Sequence, residues 1–144
     1  MLWVDKKLNN TKLLNTNSKI QLELINENDT TFKYWLDRYK YFDRFPDKTQ
    51  NHYFNQSSKF LNTIEKYLKK NHFIISNKIE LVDLAVFPFI RQFSNVNFPL
   101  FKSKFKYILN WYLKISESDR FQNIMKKNEF WSNNNKPLLI NLYK

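Results

Sequence analysis

Side chains able to carry out covalent chemistry are few in this sequence of 144 residues. Cysteine and glycine are absent, which excludes a thiol nucleophile, a thiolate metal site and the glycine-rich loop that cradles phosphates. His52 and His72 lie at opposite ends of one predicted helix, without a second histidine or a carboxylate at metal-ligand spacing. No Ser-His-Asp set can be assembled. We therefore expect no catalytic residue and no metal site.

The most distinctive polar pattern is a stripe of amphipathic residues, Tyr34, Arg38 and Tyr41, at helical spacing. It lies beside an apolar stripe on the same predicted helix, so these three side chains should face away from the core. In one interpretation they contact a ligand. In the other, Arg38 pairs with Asp37, Asp43 or a neighbouring acid, and the tyrosines simply lie at the surface.

The elements that would position this stripe are helices, because apolar residues recur at helical spacing and no alternation of period two is present. Residues 18–42 indicate a helix in two parts. Four polar residues, 26–29, predict a break between the parts, and Asp29 or Thr30 is the expected cap of the second part.

Three further helical patterns follow, over residues 48–70, over residues 97–115 and in the short run "DRFQNIMKK". Asp47 is the expected capping residue of the first of these. The tail contains Pro137 and several turn residues, so we expect it to be non-helical. Together the patterns predict an all-α domain of five or so helices around one central buried helix.

The central helix is predicted from "IELVDLAVFPFIRQF", residues 79–93, which leaves almost no polar face. With Glu80 as N-cap, Asp83 occupies the third helical position, from which its carboxylate can reach the unpaired amides of the first turn as half of a capping box. Pro88 removes one backbone hydrogen bond in the middle of the helix and should kink it.

The net charge of +11 has a compositional explanation. Lysine outnumbers arginine 20 to 4 and glycine is absent, so residues with AT-rich codons have displaced those with GC-rich codons. The lysines are also scattered along the chain instead of forming one cluster. We therefore expect no nucleic-acid partner. No signal peptide or membrane-length apolar run is present, which favours a cytoplasmic protein without membrane contact.

Three sequence blocks together resemble the C-terminal helical domain of bacterial cytosolic glutathione S-transferases. They are "FKYWLDRYKYFDRFP" at 32–46, "LVDLAVFPFIRQF" at 81–93 and "RFQNIMKKNEFW" at 120–131. In that family a Ser/Thr-x-x-Asp box opens the central helix. Asp83 matches the box, whereas Glu80 replaces the capping hydroxyl, a departure expected to cost about 1 kcal/mol.

The resemblance also implies a domain organisation. Residues 1–8, beginning "MLWV", resemble the end of the last helix of the family's thioredoxin-like domain. Residues 18–131 then form the helical domain and residues 132–144 a tail. On this interpretation the glutathione-binding half is missing or encoded separately, and the chain alone binds no cofactor, although the family uses glutathione.

The family's helical domain supplies the walls of the electrophile pocket, which makes Tyr34, Arg38 and Tyr41 the candidates for lining it. Arg91 lies one turn past Pro88 and is a further candidate; the alternative is a structural ion pair. We expect a transferase-like domain that is inactive alone, with a separate thioredoxin-like domain as partner and a homodimer possible. The alternatives are a stand-alone protein interaction module of the same fold and a basic nucleic-acid binder.

Overall fold

The computed structural model describes residues 18–127, which form helices joined by turns and short loops and contain no strand. The α-helices are α1 (Ser18–Glu27), α2 (Lys33–Lys40), α3 (Gln50–Leu68), α4 (Leu81–Val96), α5 (Phe98–Lys104), α6 (Lys106–Ser116) and α7 (Asp119–Ile124). A π-helical turn, Asn28–Phe32, connects α1 to α2, and a 3-10 turn, Phe42–Arg44, follows α2. The π-helical turn joins α1 and α2 into one continuous helical rod, so the described residues form six rods: this one and α3 to α7. The predicted all-α class is therefore confirmed.

Two of the predicted segments, residues 1–8 and residues 132–144, lie outside the described residues. Their assignment as a helix remnant and a tail stays a prediction. Within residues 18–127, none of the helices combines the length and the apolar character that crossing a bilayer requires.

The predicted break in the first helix is wrong. Hydrogen bonding continues through the polar residues, because the amide of Lys33 donates to the carbonyls of Asn28 and Thr30. Asp29 caps nothing; its carboxylate accepts from the Asn28 amide at 2.9 Å. The extra residue that a π-helical turn accommodates brings Asn28 into the interior, where it is fully buried. A polar sequence is therefore compatible with an unbroken rod.

Two other boundaries differ from the expected ones. Helix α3 is capped by Thr49, whose hydroxyl accepts from the amide of His52 at 3.2 Å, and not by Asp47. The single helix expected over residues 97–115 is divided at Phe105, which has an extended backbone and a buried ring. That ring turns inward between α5 and α6, and this placement accounts for the division.

The central position of α4 is confirmed by its burial and by its aromatic contacts. Nine of its residues are buried, and Pro88 lies inside the helix on its exposed side. Phe93 lies at the centre of an aromatic cluster. Its ring has five aromatic neighbours with centroids between 5.0 and 6.3 Å away: Phe32, Tyr39, Phe54, Phe101 and Phe105. Through this cluster α4 packs against the rod that contains α2, against α3 and α5, and against Phe105 between α5 and α6.

The capping box at the start of α4 is present, with Glu80 as N-cap and Asp83 at the third helical position. Asp83 is fully buried, and its carboxylate accepts three N–H groups: the amides of Glu80 and Ile74, both at 2.9 Å, and the indole of Trp111 at 2.8 Å. Burial raises the pKa of the Asp83 carboxyl, while the three donors act in the opposite direction. Asp83 therefore connects α4 to the preceding loop and to α6.

The missing capping hydroxyl is replaced from a distant part of the chain. Gln21, a fully buried residue of α1, accepts the amide hydrogen of Val82 at 3.2 Å through Oε1 and donates through Nε2 to the Glu80 carboxylate. Val82 is the second helical residue, whose amide a capping hydroxyl can satisfy. The loss expected from Glu80 at the N-cap is therefore offset by Gln21.

Helix α6 is capped in the same manner. Its N-cap residue, Phe105, has no side-chain acceptor. Instead the Glu65 carboxylate, from α3, accepts the amides of Tyr107 and Ile108, both at 2.8 Å. A carboxylate at this position also interacts favourably with the positive end of the helix dipole. Two helix starts thus depend on side chains that other helices supply.

We predict that Gln21→Ala lowers the free energy of unfolding by about 2 kcal/mol, because a buried amide loses its acceptor. Adding Glu80→Ser, which restores a capping hydroxyl, should return about 1 kcal/mol in the Gln21→Ala background. Urea denaturation followed by circular dichroism measures both values. Glu23→Ala, an exposed change on the same helix, is the control and should cost less than about 0.5 kcal/mol. Equal losses for Gln21→Ala and Glu23→Ala would contradict the capping role.

Candidate functional site

Two members of the stripe predicted from the sequence, Tyr34 and Arg38, lie on α2 and are in direct contact, whereas Tyr41 is the residue that ends this helix. The guanidinium carbon of Arg38 lies 3.4 Å from the ring centroid of Tyr34, and its Nη1 donates to the Tyr34 carbonyl at 3.2 Å. The same group also lies 4.6 Å from the ring centroid of Phe45. Arg38 therefore contacts two aromatic rings, an arrangement that suits a planar guanidinium.

Tyr41, the third member, has cationic neighbours. Arg44 and Lys40 approach its ring centroid at 4.7 and 4.9 Å. Lys40 is held in place by a hydrogen bond of 2.6 Å from its Nζ to the side-chain oxygen of Gln92 on α4. We call the set Tyr34, Arg38, Tyr41, Arg44 and Phe45 the aromatic-cationic face.

The alternative ion pair of Arg38 with an acid does not occur among residues 18–127, where the observed ion pair is Lys33 with Asp37 at 2.6 Å. Asp37 is thus already engaged by a residue one turn earlier on α2. Aromatic stacking takes the place of the ion pair that the alternative interpretation expected for Arg38.

The aromatic-cationic face is open to solvent. Tyr34 is 48% exposed and Tyr41 39%, and the neighbouring Phe42 is 44% exposed. Large aromatic side chains usually bury more than this, so the face is a surface and has not been absorbed into the core.

Arg91 makes its aromatic contact elsewhere. Its guanidinium carbon lies 5.9 Å from the ring centroid of Phe121 on α7, and the ring of Phe87, one turn earlier on α4, also contacts Phe121 at 5.1 Å. Within residues 18–127 no carboxylate lies within ion-pair distance of Arg91, so the structural ion pair considered above is not found there. Of the four predicted site residues, Tyr34 and Arg38 are thus in contact, Tyr41 contacts Lys40 and Arg44, and Arg91 is associated with α7.

Sequence reasoning missed Phe45, because it follows Tyr41 beyond the end of α2. Phe45 follows Arg38 by seven residues, which corresponds to two helical turns, and this spacing was the feature of the sequence that could have identified it. Gln21 was also missed, since nothing near it in sequence indicates that it caps a helix more than 50 residues away.

Three cavities in the described part of the chain are lined by residues other than the predicted site residues Tyr34, Arg38, Tyr41 and Arg91. The largest, about 510 Å³, lies between α1 and the C-terminal end of α3, and a second, about 270 Å³, lies between that end of α3 and α6. The third, about 330 Å³, lies between α3 and α5. Among residues 18–127, no three side chains of His, Asp or Glu come together as a metal site would require.

Comparison with known proteins gives one match. The family model described as "Glutathione S-transferase, C-terminal domain" matches residues 28–119, which is more than half of the chain. No curated protein and no solved structure matches significantly. The matched segment begins in the π-helical turn and ends at the first residue of α7, so it contains α2 to α6 and the aromatic-cationic face. With its all-α architecture around a capped central helix, the chain belongs to the glutathione S-transferase C-terminal domain family.

Proposed function

We propose that the chain is the electrophile-side helical domain of a glutathione transferase-like protein, and that a polypeptide of these 144 residues does not conjugate glutathione alone. The family match over residues 28–119 carries this proposal. Such a transferase lowers the thiol pKa of bound glutathione in one domain and holds the electrophile against the other. The residues of this chain suit the second task.

The aromatic-cationic face is the part of the chain that we assign to this task. Tyr34 and Phe45 offer flat apolar surface, and Arg38, which contacts both rings, offers N–H donors that the carbonyl of Tyr34 does not fully use. An electrophile with an aromatic ring could stack on this face while a polar substituent accepts from Arg38. The partner in this proposal is a thioredoxin-like domain, on the same or another chain, which brings glutathione to the face.

The stand-alone interaction module is the second candidate, and the exposure of Tyr34, Tyr41 and Phe42 favours it. Exposed aromatic rings beside arginine are typical of protein interfaces. The two candidates differ in what covers the face: a glutathione-binding domain with a small electrophile, or another protein. A polypeptide that purifies as a soluble, monodisperse species would favour the second candidate, because a domain separated from its partner exposes apolar surface that promotes association. Neither candidate requires nucleic acid, which we do not propose as a partner.

We predict that the purified 144-residue polypeptide gives the uncatalysed rate with glutathione and 1-chloro-2,4-dinitrobenzene. No residue of this chain is assigned to thiol activation, so the thiol keeps its ordinary pKa. Absorbance of the conjugate measures the rate, and a complete glutathione transferase at the same concentration is the positive control. Saturable turnover that disappears on heat denaturation of the polypeptide would overturn the proposal of inactivity.

A further inference from the structure

The largest of the three cavities described above is lined without any carboxylate. Its walls are Ile20 from α1, Thr63, Lys66 and Tyr67 from the C-terminal end of α3, and Lys70, Asn71 and Ile75 from the turn and loop that follow. Its volume of about 510 Å³ falls in the range of small-molecule sites. Ile20, Tyr67 and Ile75 are partly buried, so they form an apolar wall, while Lys66 and Lys70 are exposed at the rim.

The cationic character extends beyond this cavity. Asn71 also lines the adjoining cavity of about 270 Å³, together with His72 and Lys114, and that cavity has no acidic residue either. Lys114 lies over the ring of Phe73, at 5.0 Å from its centroid. The two cavities therefore meet at Asn71 within one basic region.

The acid nearest in sequence to Lys66 is engaged elsewhere. Glu65, in the same turn of α3, gives both carboxylate oxygens to the amides of Tyr107 and Ile108. No carboxylate lies within ion-pair distance of Lys66 or Lys70 among residues 18–127. Lysines near a helix C-terminus stabilise the helix through its dipole, and this accounts for basic residues there. It does not account for a cavity with an apolar wall beneath them.

The cavity lies at the opposite end of the helix pair from the aromatic-cationic face. Trp35, beside Tyr34, contacts the rings of His52 and Tyr53 at the first turn of α3, whereas Ile20 lies against its last turn. Fourteen residues at a rise of 1.5 Å separate Ile20 from Tyr34, or about 21 Å along the rod. A ligand in the cavity therefore does not occupy the face assigned to the electrophile.

We propose that this cavity binds a phosphate-bearing small molecule with an apolar or aromatic body. The body packs against Ile20, Tyr67 and Ile75, and the phosphate lies at the rim between Lys66 and Lys70. Lysine ammonium groups bind phosphate as point charges, and two of them, one in the last turn of α3 and one in the turn that follows it, match a dianionic group. The Thr63 hydroxyl and the Asn71 side-chain amide donate to the carbonyls of Lys59 and Tyr67, and their oxygens can accept from the remainder of the ligand. This proposal does not depend on the proposed transferase role.

Adenosine 5′-monophosphate is a suitable probe, with adenosine and inorganic phosphate as its two separate parts. We expect titration of the ¹⁵N-labelled protein with the monophosphate to shift the amide resonances of residues 63–75 and of Ile20 along one saturable curve. Each part alone should bind at least about tenfold more weakly, because only the whole probe engages both the wall and the lysines. Binding should also weaken as salt is raised.

The double variant Lys66→Gln/Lys70→Gln should weaken binding of the monophosphate at least about tenfold. The matched control Lys48→Gln/Lys102→Gln removes the same charge from exposed positions outside the three cavities and should change the affinity less than about twofold. Equal weakening in both double variants would show attraction to the overall charge of +11 and would overturn the proposal. Shifts scattered over the other helices would do the same.

Discussion

Asp83→Ala is expected to lower the free energy of unfolding by about 4 kcal/mol, a large part of the 5 to 15 kcal/mol that stabilises a typical domain. Three buried N–H groups, from Glu80, Ile74 and Trp111, lose their acceptor together. Each unsatisfied group costs about 1 to 3 kcal/mol, and partial relaxation keeps the total below their sum. Urea denaturation monitored by circular dichroism measures the loss. Asp43→Ala removes an exposed carboxylate and is the control, with an expected cost below about 0.5 kcal/mol.

Asp83→Asn separates geometry from charge, since it keeps the shape and one acceptor oxygen but does not titrate. Burial raises the pKa of Asp83 in the folded state. The stability that this group contributes is therefore complete below the unfolded pKa of about 3.9 and is lost as the pH rises through the folded value. The stability advantage of the natural protein over Asp83→Asn should accordingly shrink as the pH is raised from about 3.9 towards neutrality. An advantage that grows over this interval would contradict the direction of the shift.

Phe93→Ala should destabilise the fold by a similar amount, about 4 kcal/mol, for a different reason. Phe93 is 1% exposed and its ring is surrounded by five other rings, so its removal leaves a cavity that the neighbours cannot fill. Thermal or urea unfolding measures the loss, and Phe93→Leu, which keeps most of the volume, should cost about 1 to 2 kcal/mol.

Phe98→Ala is the matched control for the aromatic cluster. Phe98 also contacts two rings, those of Phe101 and Tyr112, but it is 39% exposed at the start of α5. The same deletion should cost less than about 1 kcal/mol there, because water already reaches the side chain. If Phe98→Ala and Phe93→Ala proved equally costly, the cluster around Phe93 would not be the centre of the core.

The fold class and the central helix were predictable because their signals are local and strong. The near-continuous apolar run of α4 identified it as buried, and Asp83 three residues after Glu80 identified the capping box. The π-helical turn was not predictable, since "NEND" has the composition of a break. The last residue of the turn, Phe32, is buried against Phe60 of α3 and Phe93 of α4, and this tertiary packing, which the local sequence does not encode, favours an unbroken rod.

Part of the candidate site was also predictable, because the signal for that part is local in the sequence. Tyr34 and Arg38 are four residues apart on a helix, so their contact follows from helical geometry. The second aromatic face on Arg38 comes from Phe45, beyond the end of α2, and depends on how the 3-10 turn folds back. The cavity between α1 and α3 depends on helix packing as well, because Ile20 and Lys66 are distant in sequence.

The capping of α4 by Gln21 and of α6 by Glu65 has a consequence for how the chain folds. Each contact closes a long loop, with separations of 61 residues for Gln21 to Val82 and 43 for Glu65 to Ile108. Such non-local contacts form only after the entropy of loop closure has been overcome, which slows folding. We therefore expect the first turns of α4 and α6 to reach their final hydrogen bonding late, after α1 and α3 have docked, so that the two helices acquire their native ends cooperatively with the whole bundle.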